Sequence, residues 1–468
     1  MFFVDRDGLR KVLHKYMKIE KDSRRRSFAG LPHAALLGAL LKWIWLGGLV
    51  GLAAGTASAL FLTALGWATE MQRTNAWLLY LLPVGGAAVS WIYAKYGKES
   101  AQGNNLILEQ IHRGDGRIPL RMAPLVLGGT IATHLFGGSA GREGTAVQMG
   151  GSLADWIARS VKADAADRRI LLMCGIAAGF GSVFGTPLAG TVFALEVAVI
   201  GLVRYEALIP CFIAAYTGHL ATTRLWGVPH QHWSIGDIPG LSPGLLIKIV
   251  LASALFGLAS LAFSELTHAL KKGFGRLIRN AAIRSAAGGL LIIGLVFAIG
   301  TRDYLGLGLP LLDEAFAGDG DVSPFAFLWK LVFTSATLGA GFQGGEVTPL
   351  FVIGALFGHA LGGALNVSAP FLAALGMVAV FCGATNTPLA CFILGVELFG
   401  AEGAEYLFIA CLVSYLFSGH TGIYGSQRIG IPKSRGMQVP ELSTLQSVRK
   451  GSVRSPGDGE QTDKRPVR

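Results

Sequence analysis

The sequence predicts an all-α polytopic membrane protein made of two related, inverted-topology repeats with discontinuous helices. Three observations carry this expectation: an apolar composition, long apolar runs broken by Gly and Pro, and motifs that recur at one offset. The chain has 468 residues, 52% hydrophobic and 15% charged, where a soluble domain is about a quarter charged. Runs at 54–67, 77–93, 170–203, 245–263, 286–299, 325–341 and 371–382 are nearly free of charge. Several approach the roughly 20 apolar residues that a bilayer-crossing helix needs. Others are shorter, so not every helix is expected to cross fully.

The repeat is legible in two motifs. Thr186-Pro187-Leu188-Ala189 returns as Thr387-Pro388-Leu389-Ala390, an offset of 201 residues (186 to 387). Each copy is followed by an apolar run with one acid, Glu196 and then Glu397, again 201 apart (196 to 397). Upstream, Gly141-Arg142-Glu143-Gly144-Thr145 is matched by Gly344-Gly345-Glu346-Val347-Thr348, with the two acids 203 apart (143 to 346). Two motifs in the same order at nearly the same offset indicate a duplication.

Charge placement gives the orientation. The net charge of +11 could suggest nucleic acid, but the basic residues crowd three places. These are the N-terminal segment from Arg6 to Arg26, the C-terminal segment from Arg449 to Arg468, and Lys271, Lys272, Arg276, Arg279 and Arg284 between two apolar runs. By the positive-inside rule all three face the cytoplasm. Both termini are then inside and the number of full crossings is even. Residues 226–244 hold no Lys or Arg and are expected outside, whereas the basic 271–284 cluster maps back onto 70–83, which holds only Arg73. Corresponding loops thus fall on opposite sides. Such inverted repeats place a transport site near the bilayer midplane, between broken helices.

The expected organisation is a basic cytoplasmic segment at 1–33, a first repeat at 34–225, a second at 236–427, and a basic, disordered cytoplasmic tail at 428–468. The first apolar run begins near Ala34, after a long charged stretch, so no cleavable signal peptide is expected. Cys174, Cys211, Cys382, Cys391 and Cys411 are scattered through apolar sequence without metal spacing and are expected as small buried hydrophobes. No cofactor or metal is called for. His134, His359 and His420 are expected to pack or hydrogen-bond, and Trp43, Trp226 and Trp233 to lie at membrane interfaces.

Candidate chemistry gathers at Gly-rich breaks: 103–107, 138–145 and 341–349. Thr186-Pro187, Thr387-Pro388 and Thr348-Pro349 suggest helix starts, with Thr as N-cap and Pro at the first helical position. A helix N-terminus presents unpaired N–H groups and the positive end of its dipole, and so favours an anion. Gly47-x-x-x-Gly51-x-x-x-Gly55 and Gly354-x-x-x-Gly358-x-x-x-Gly362 are expected instead to serve close helix packing. Glu143 is the leading candidate, because an acid at membrane depth is a functional hypothesis by default. Its carboxylate could occupy an anion site and leave it on protonation; the plainer alternative is an ion pair with Arg142. Glu397 is expected to be structural.

These motifs resemble the CLC family of anion channels and proton-coupled antiporters, from about Gly103 to Tyr424. Gly-Arg-Glu-Gly at 141–144 matches the family's gating-glutamate motif, Gly-Gly-Glu-Val-Thr-Pro at 344–349 its G-G-x-F-x-P, and Tyr424 its pore tyrosine. The resemblance implies a CLC-type fold, a homodimer with one pathway per subunit, Glu143 as gate and proton carrier, and an anion site shaped by Asn104, Asn105, Gly144, Thr145, Val347, Thr348 and Tyr424. The departures are informative. Gly103-Asn104-Asn105-Leu106-Ile107 replaces G-S-G-I-P, Thr145 replaces the Pro after the gating acid, and Val347 replaces the pore Phe. The acid usual for inward proton transfer falls at Val197, beside Glu196. This set resembles the fluoride/proton antiporter clade and implies fluoride export from the bacterial inner membrane, with a chloride/proton antiporter or chloride channel as the alternative. Protons would then use another route, through water, Glu143, Glu346 or Glu196. The motif H-E-x-x-H is absent from the sequence, which disfavours an intramembrane zinc enzyme. A passive scaffold would leave Glu143 unexplained.

Overall fold

The computed structural model describes residues 32–450, except 115, 232, 237, 318–321, 435, 437, 438 and 441. The basic stretches 1–31 and 451–468 lie outside the described residues. By its contacts the chain divides into residues 1–46 and 47–468. Of the first unit the structure describes the opening of helix α1 (Pro32–Thr74), where Lys42 Nζ lies 5.1 Å from the Trp43 ring centre.

The second unit is helical almost throughout. The first half continues through α2 (Leu82–Ile92), α3 (Asn104–Arg113), α4 (Met122–Leu135), α5 (Glu143–Ser160), α6 (Ala165–Phe184), α7 (Pro187–Glu196) and α8 (Leu208–Leu220). The other half holds α9 (Pro243–Leu277), α10 (Ala281–Ile299), α11 (Leu309–Ala317), α12 (Ala326–Gly339), α13 (Val347–Leu365), α14 (Ala369–Thr385), α15 (Pro388–Phe399) and α16 (Ala404–Phe417). Five helical stretches are long and apolar enough to cross a membrane, while α4, α7, α12, α14, α15 and α16 are apolar but short. Large apolar side chains such as Leu60, Ile247, Leu290 and Phe297 are more than 60% exposed, as a lipid-facing surface requires.

Equivalent helices meet in equivalent ways. Gly150 on α5 crosses Gly175 on α6 so closely that a Cβ on Gly150 would stand 2.2 Å from the Gly175 carbonyl oxygen. Gly354 on α13 crosses Gly376 on α14 with the same 2.2 Å clearance. The other packing glycines behave alike: a Cβ would come within 2.4 Å of backbone oxygen at Gly51 and Gly55, and 2.0 Å at Gly358. Phe180, Phe193, Phe351 and Phe381 bring α6, α7, α13 and α14 together, with Phe180 and Phe193 stacked at 4.6 Å. Each of the five cysteines is buried.

Two sets of exchanged hydrogen bonds reveal the two-fold relation of the halves. Gly141 N donates to Gly345 O and Gly345 N to Gly141 O, both at 2.7 Å, an antiparallel bridge between corresponding breaks. Glu196, at the end of α7, accepts from Leu389 N and Ala390 N at 3.3 and 3.0 Å, at the start of α15. Glu397 on α15 returns the contact, accepting from Leu188 N and Ala189 N at 2.9 and 2.7 Å. Contacts in which i meets j and the equivalent of j meets the equivalent of i are the mark of a two-fold.

The expected disorder from residue 428 is corrected. Arg428–Ile429 (strand β2) pairs in parallel with Val199–Ile200 (β1), and Thr444 caps a last short helix, α17 (Leu445–Arg449). Ile200, Ile429 and Leu445 form a small core. Lys433 Nζ donates to Tyr415 O at 2.6 Å and lies 4.0 Å from that ring's centre. The segment is polar on average, but its few apolar residues are placed where they can be buried, which composition alone does not show.

Candidate functional site

The Gly-rich breaks of both halves converge on one carboxylate. The Gly141–Gly345 bridge fixes the chain just before α5 and α13, so that Glu143 heads α5 and faces the first turn of α13. Glu143 is fully buried. Its Oε2 accepts from Thr348 N at 3.0 Å and from Arg142 N at 3.2 Å. Its Oε1 accepts from the Thr348 hydroxyl and from Arg142 Nε, the latter at 3.3 Å. Glu143 thus pairs with Arg142 and also lies against the first turn of α13, at the positive end of that helix. Four donors on one carboxylate satisfy a buried charge that would otherwise be costly.

The remaining candidates lie at different distances from this centre. Val347 is buried in the first turn of α13, beside Thr348. Asn104 opens α3, with its Nδ2 3.1 Å from where a Cβ on Gly144 would stand, and its buried Oδ1 has no protein partner. Gly144 thus admits the amide to the head of α5. Asn105 turns away, its Oδ1 accepting from Ser426 N at 2.9 Å. Thr145 is buried, and its hydroxyl pairs with Thr130 on α4 at 2.7 Å rather than with Glu143. Tyr424 lies edge-on to Phe193 at 6.4 Å and lines a cavity of about 320 Å³ with Asn104, Asn105 and Glu346. Glu196 is not among the residues lining that cavity; it serves the α15 N-terminus instead.

Thr186 and Thr387 are the N-cap residues and Pro187 and Pro388 open their helices, as expected, but neither Thr side chain makes the capping hydrogen bond. Glutamates from the opposite half take that place, because a carboxyl group offers two oxygens that reach two successive backbone N–H groups, which one hydroxyl does not. Glu346 rather than Thr348 is the N-cap residue of α13, leaving Thr348 inside the helix, where its N–H and hydroxyl can both point at Glu143. Replacing Glu196 or Glu397 by Gln keeps one of the two acceptor oxygens and loses the other, so each is expected to destabilise the protein by ~1–2 kcal/mol. Thermal unfolding in detergent checks this; an unchanged midpoint for both would show that the exchanged caps contribute nothing.

His134 Nδ1 and Nε2 lie 2.9 and 3.0 Å from the carbonyl oxygens of Thr130 and Ala140, His359 hydrogen-bonds Ala315 O, and Lys433 N donates to His420. One residue escaped the sequence reading. The run 325–341 passes as nearly uncharged, yet it carries Lys330, which is fully buried. Its Nζ donates to Gly306 O at 2.9 Å, Ser139 Oγ at 3.0 Å and Tyr304 O at 3.1 Å. It therefore ties the loop before α11 to the break that leads into Glu143. A single Lys in an apolar helix was the available signal.

Comparison with known proteins follows this geometry. The chain is similar to a chloride/fluoride channel protein of Pseudomonas syringae pv. tomato, 47% identical over 426 residues that cover 90% of this chain and 93% of the relative. Its fold is similar to the crystal structure of a CLC-type fluoride/proton antiporter, with a TM-score of 0.81 and 34% identity over 83% of this chain and 98% of that one. A slow cyanobacterial Cl−/H+ antiporter shares the fold at a TM-score of 0.70 and 21% identity, over 80% of this chain and 94% of that one. The sequence pattern described as voltage gated chloride channel matches residues 85–419. With its two inverted halves, broken helices and buried glutamate at their junction, this chain belongs to the CLC, or voltage-gated chloride channel, family.

Proposed function

We propose that this protein exchanges fluoride for protons across the bacterial inner membrane, exporting fluoride as a homodimer with one pathway per subunit and both termini in the cytoplasm. The observation that carries the reading is the Glu143 carboxylate held by Thr348 N, the Thr348 hydroxyl and Arg142 N. Those donors suit any small acceptor-only anion. A protonated Glu143 loses acceptor strength and can withdraw, leaving the donors to the anion; an ionised Glu143 returns and displaces it. One side chain then carries the proton and excludes the anion in turn.

The donor set bears on which anion. Fluoride is small and strongly hydrated, so its site must replace water with close donors. A hydroxyl and an N–H from one residue, with the Asn104 amide beside Gly144, supply such donors where an apolar lining could not. The similarity to a chloride/fluoride channel protein and to a fluoride/proton antiporter supports the same choice. Glu346 lines the cavity beside Tyr424 and is the better placed acid for inward proton transfer than Glu196.

The test is ion efflux from liposomes holding the purified protein, fluoride-loaded in one set and chloride-loaded in the other, with voltage clamped by a potassium ionophore. Fast fluoride efflux with opposite proton movement and little chloride loss is expected. Chloride efflux that equals or exceeds fluoride efflux would return the protein to chloride transport.

A further inference from the structure

His134 stands in the last turn of α4 and is buried where the chain enters the break that presents Glu143. Both of its ring nitrogens face backbone carbonyl oxygens: Nδ1 lies 2.9 Å from Thr130 O, and Nε2 lies 3.0 Å from Ala140 O. A carbonyl oxygen only accepts, whereas a neutral imidazole has one N–H and one bare nitrogen. Whichever nitrogen kept the single proton, the other would turn its lone pair on a carbonyl. Only the imidazolium donates to both.

The two carbonyls differ in what else holds them. Thr130 O lies inside α4, where the helical N–H four residues on serves it as well. Ala140 O lies in the non-helical break, whose other atoms are fixed from elsewhere. Ala140 N donates to Gly306 O at 3.3 Å, Ser139 Oγ is met by Lys330 Nζ at 3.0 Å and Thr334 Oγ1 at 2.9 Å, and Gly141 forms the bridge to Gly345. The Nε2 contact therefore joins the end of α4 to the turn that sets where α5 begins. The charged groups that act on the ring are Lys330, from α12, and Arg142, from the break itself. Both oppose a further positive charge, as burial does, although Arg142 is paired with Glu143 at 3.3 Å. Two charge-assisted hydrogen bonds favour that charge. With strong effects on both sides, the second proton is held but removable.

We propose that His134 is a proton-dependent positioning residue for Glu143, charged while the break is held and loosening it when one proton is lost to water. The inference rests on the proposed exchange of fluoride and protons at Glu143. The imidazolium ties Thr130 O to Ala140 O and so keeps the turn before the Gly141–Gly345 bridge in place. The neutral ring is pushed off one carbonyl, and because the ring is a rigid plane its other contact shifts too. The proton exchanged for fluoride stays with Glu143; His134 sets how readily that carboxylate moves.

Nitrogen NMR of the full-length protein in lipid, isotopically labelled at histidine, reads the ring directly, with His134 assigned by the signals that His134→Gln removes. Two N–H nitrogens are expected at neutral pH, converting in alkali to one N–H and one bare nitrogen. A bare nitrogen at neutral pH overturns the proposal. In fluoride-loaded liposomes His134→Gln is expected to shift the pH of half-maximal efflux by about one unit, a tenfold change in proton affinity, with the protons moved per fluoride unchanged. A ring that only packs would lower the melting temperature and leave the pH profile in place, and that result overturns the positioning role. Should His134→Gln fail to fold, His134→Asn supplies both the assignment and the profile. Failure of the underlying function is separable. If the wild-type protein carries chloride in place of fluoride, the pH profile is read with chloride, and the protonation of the ring is measured without either ion.

Discussion

Glu143→Gln is expected to reduce fluoride-driven proton movement by about a hundredfold or more, the usual scale of a positioned proton carrier. Glutamine keeps the shape of the side chain and a carbonyl to accept from Thr348, so the protein should fold and bind lipid as before. What it cannot do is ionise. The swing between a charged occupant of the α13 N-terminus and a neutral one that leaves it is lost. The measurement is proton uptake by fluoride-loaded liposomes, compared with empty ones. Wild-type proton flux in this variant would remove Glu143 from the proton path, and with it the single-side-chain exchange that the donor geometry supports.

The largest expected effect on stability lies away from the site, at Asp155 on α5. This carboxylate is completely buried. It accepts from Arg168 Nη2 at 2.6 Å and Nε at 2.7 Å, from Arg159 Nε at 3.0 Å, and from Ile118 N at 3.1 Å. It thereby pins α6 and the loop between α3 and α4 to the end of α5. Asp155→Ala leaves Arg168 buried without its counter-charge, and removing one partner of such a pair costs ~3–5 kcal/mol. Thermal or denaturant unfolding in detergent should show a large fall. Adding Arg168→Met to that variant is expected to recover part of the loss, because the stranded charge is then gone. A small effect of Asp155→Ala alone would mean that water reaches Arg168.

How much of this could be read from the residues differs by kind of feature. The repeat was plain, because Thr-Pro-Leu-Ala and the acid ten residues beyond it are local words that duplication copied. Glu143 was plain for a related reason: an acid between apolar runs has few cheap places to go. The glycine ladders at Gly51–Gly55 and Gly354–Gly358 also declared their packing role through spacing alone. What sequence could not show is exchange between the halves. Thr186 and Thr387 looked like caps, and only tertiary contact reveals that Glu397 and Glu196 displace them. Glu196 looked like a spare proton carrier, yet it is committed to two backbone donors of α15. Thr145 sits next but one to Glu143, but its hydroxyl belongs to Thr130. Lys330 was hidden by averaging, a single charge inside an apolar run.

The bonds that hold Glu143 have a bearing on how the protein is made. Glu143 and Thr348 are 205 residues apart in the chain, and the glutamate clasps join residues 193 to 209 apart. Contacts of such sequence separation form late and slowly, because the intervening chain must be ordered first. When the ribosome has delivered Glu143 to the membrane, Arg142 is beside it but the two Thr348 donors have not yet been synthesised. A nascent or prematurely terminated chain therefore holds neither the α13 donors nor the cap that α7 awaits. Assembly of the centre that both halves build is therefore coupled to completion of the polypeptide.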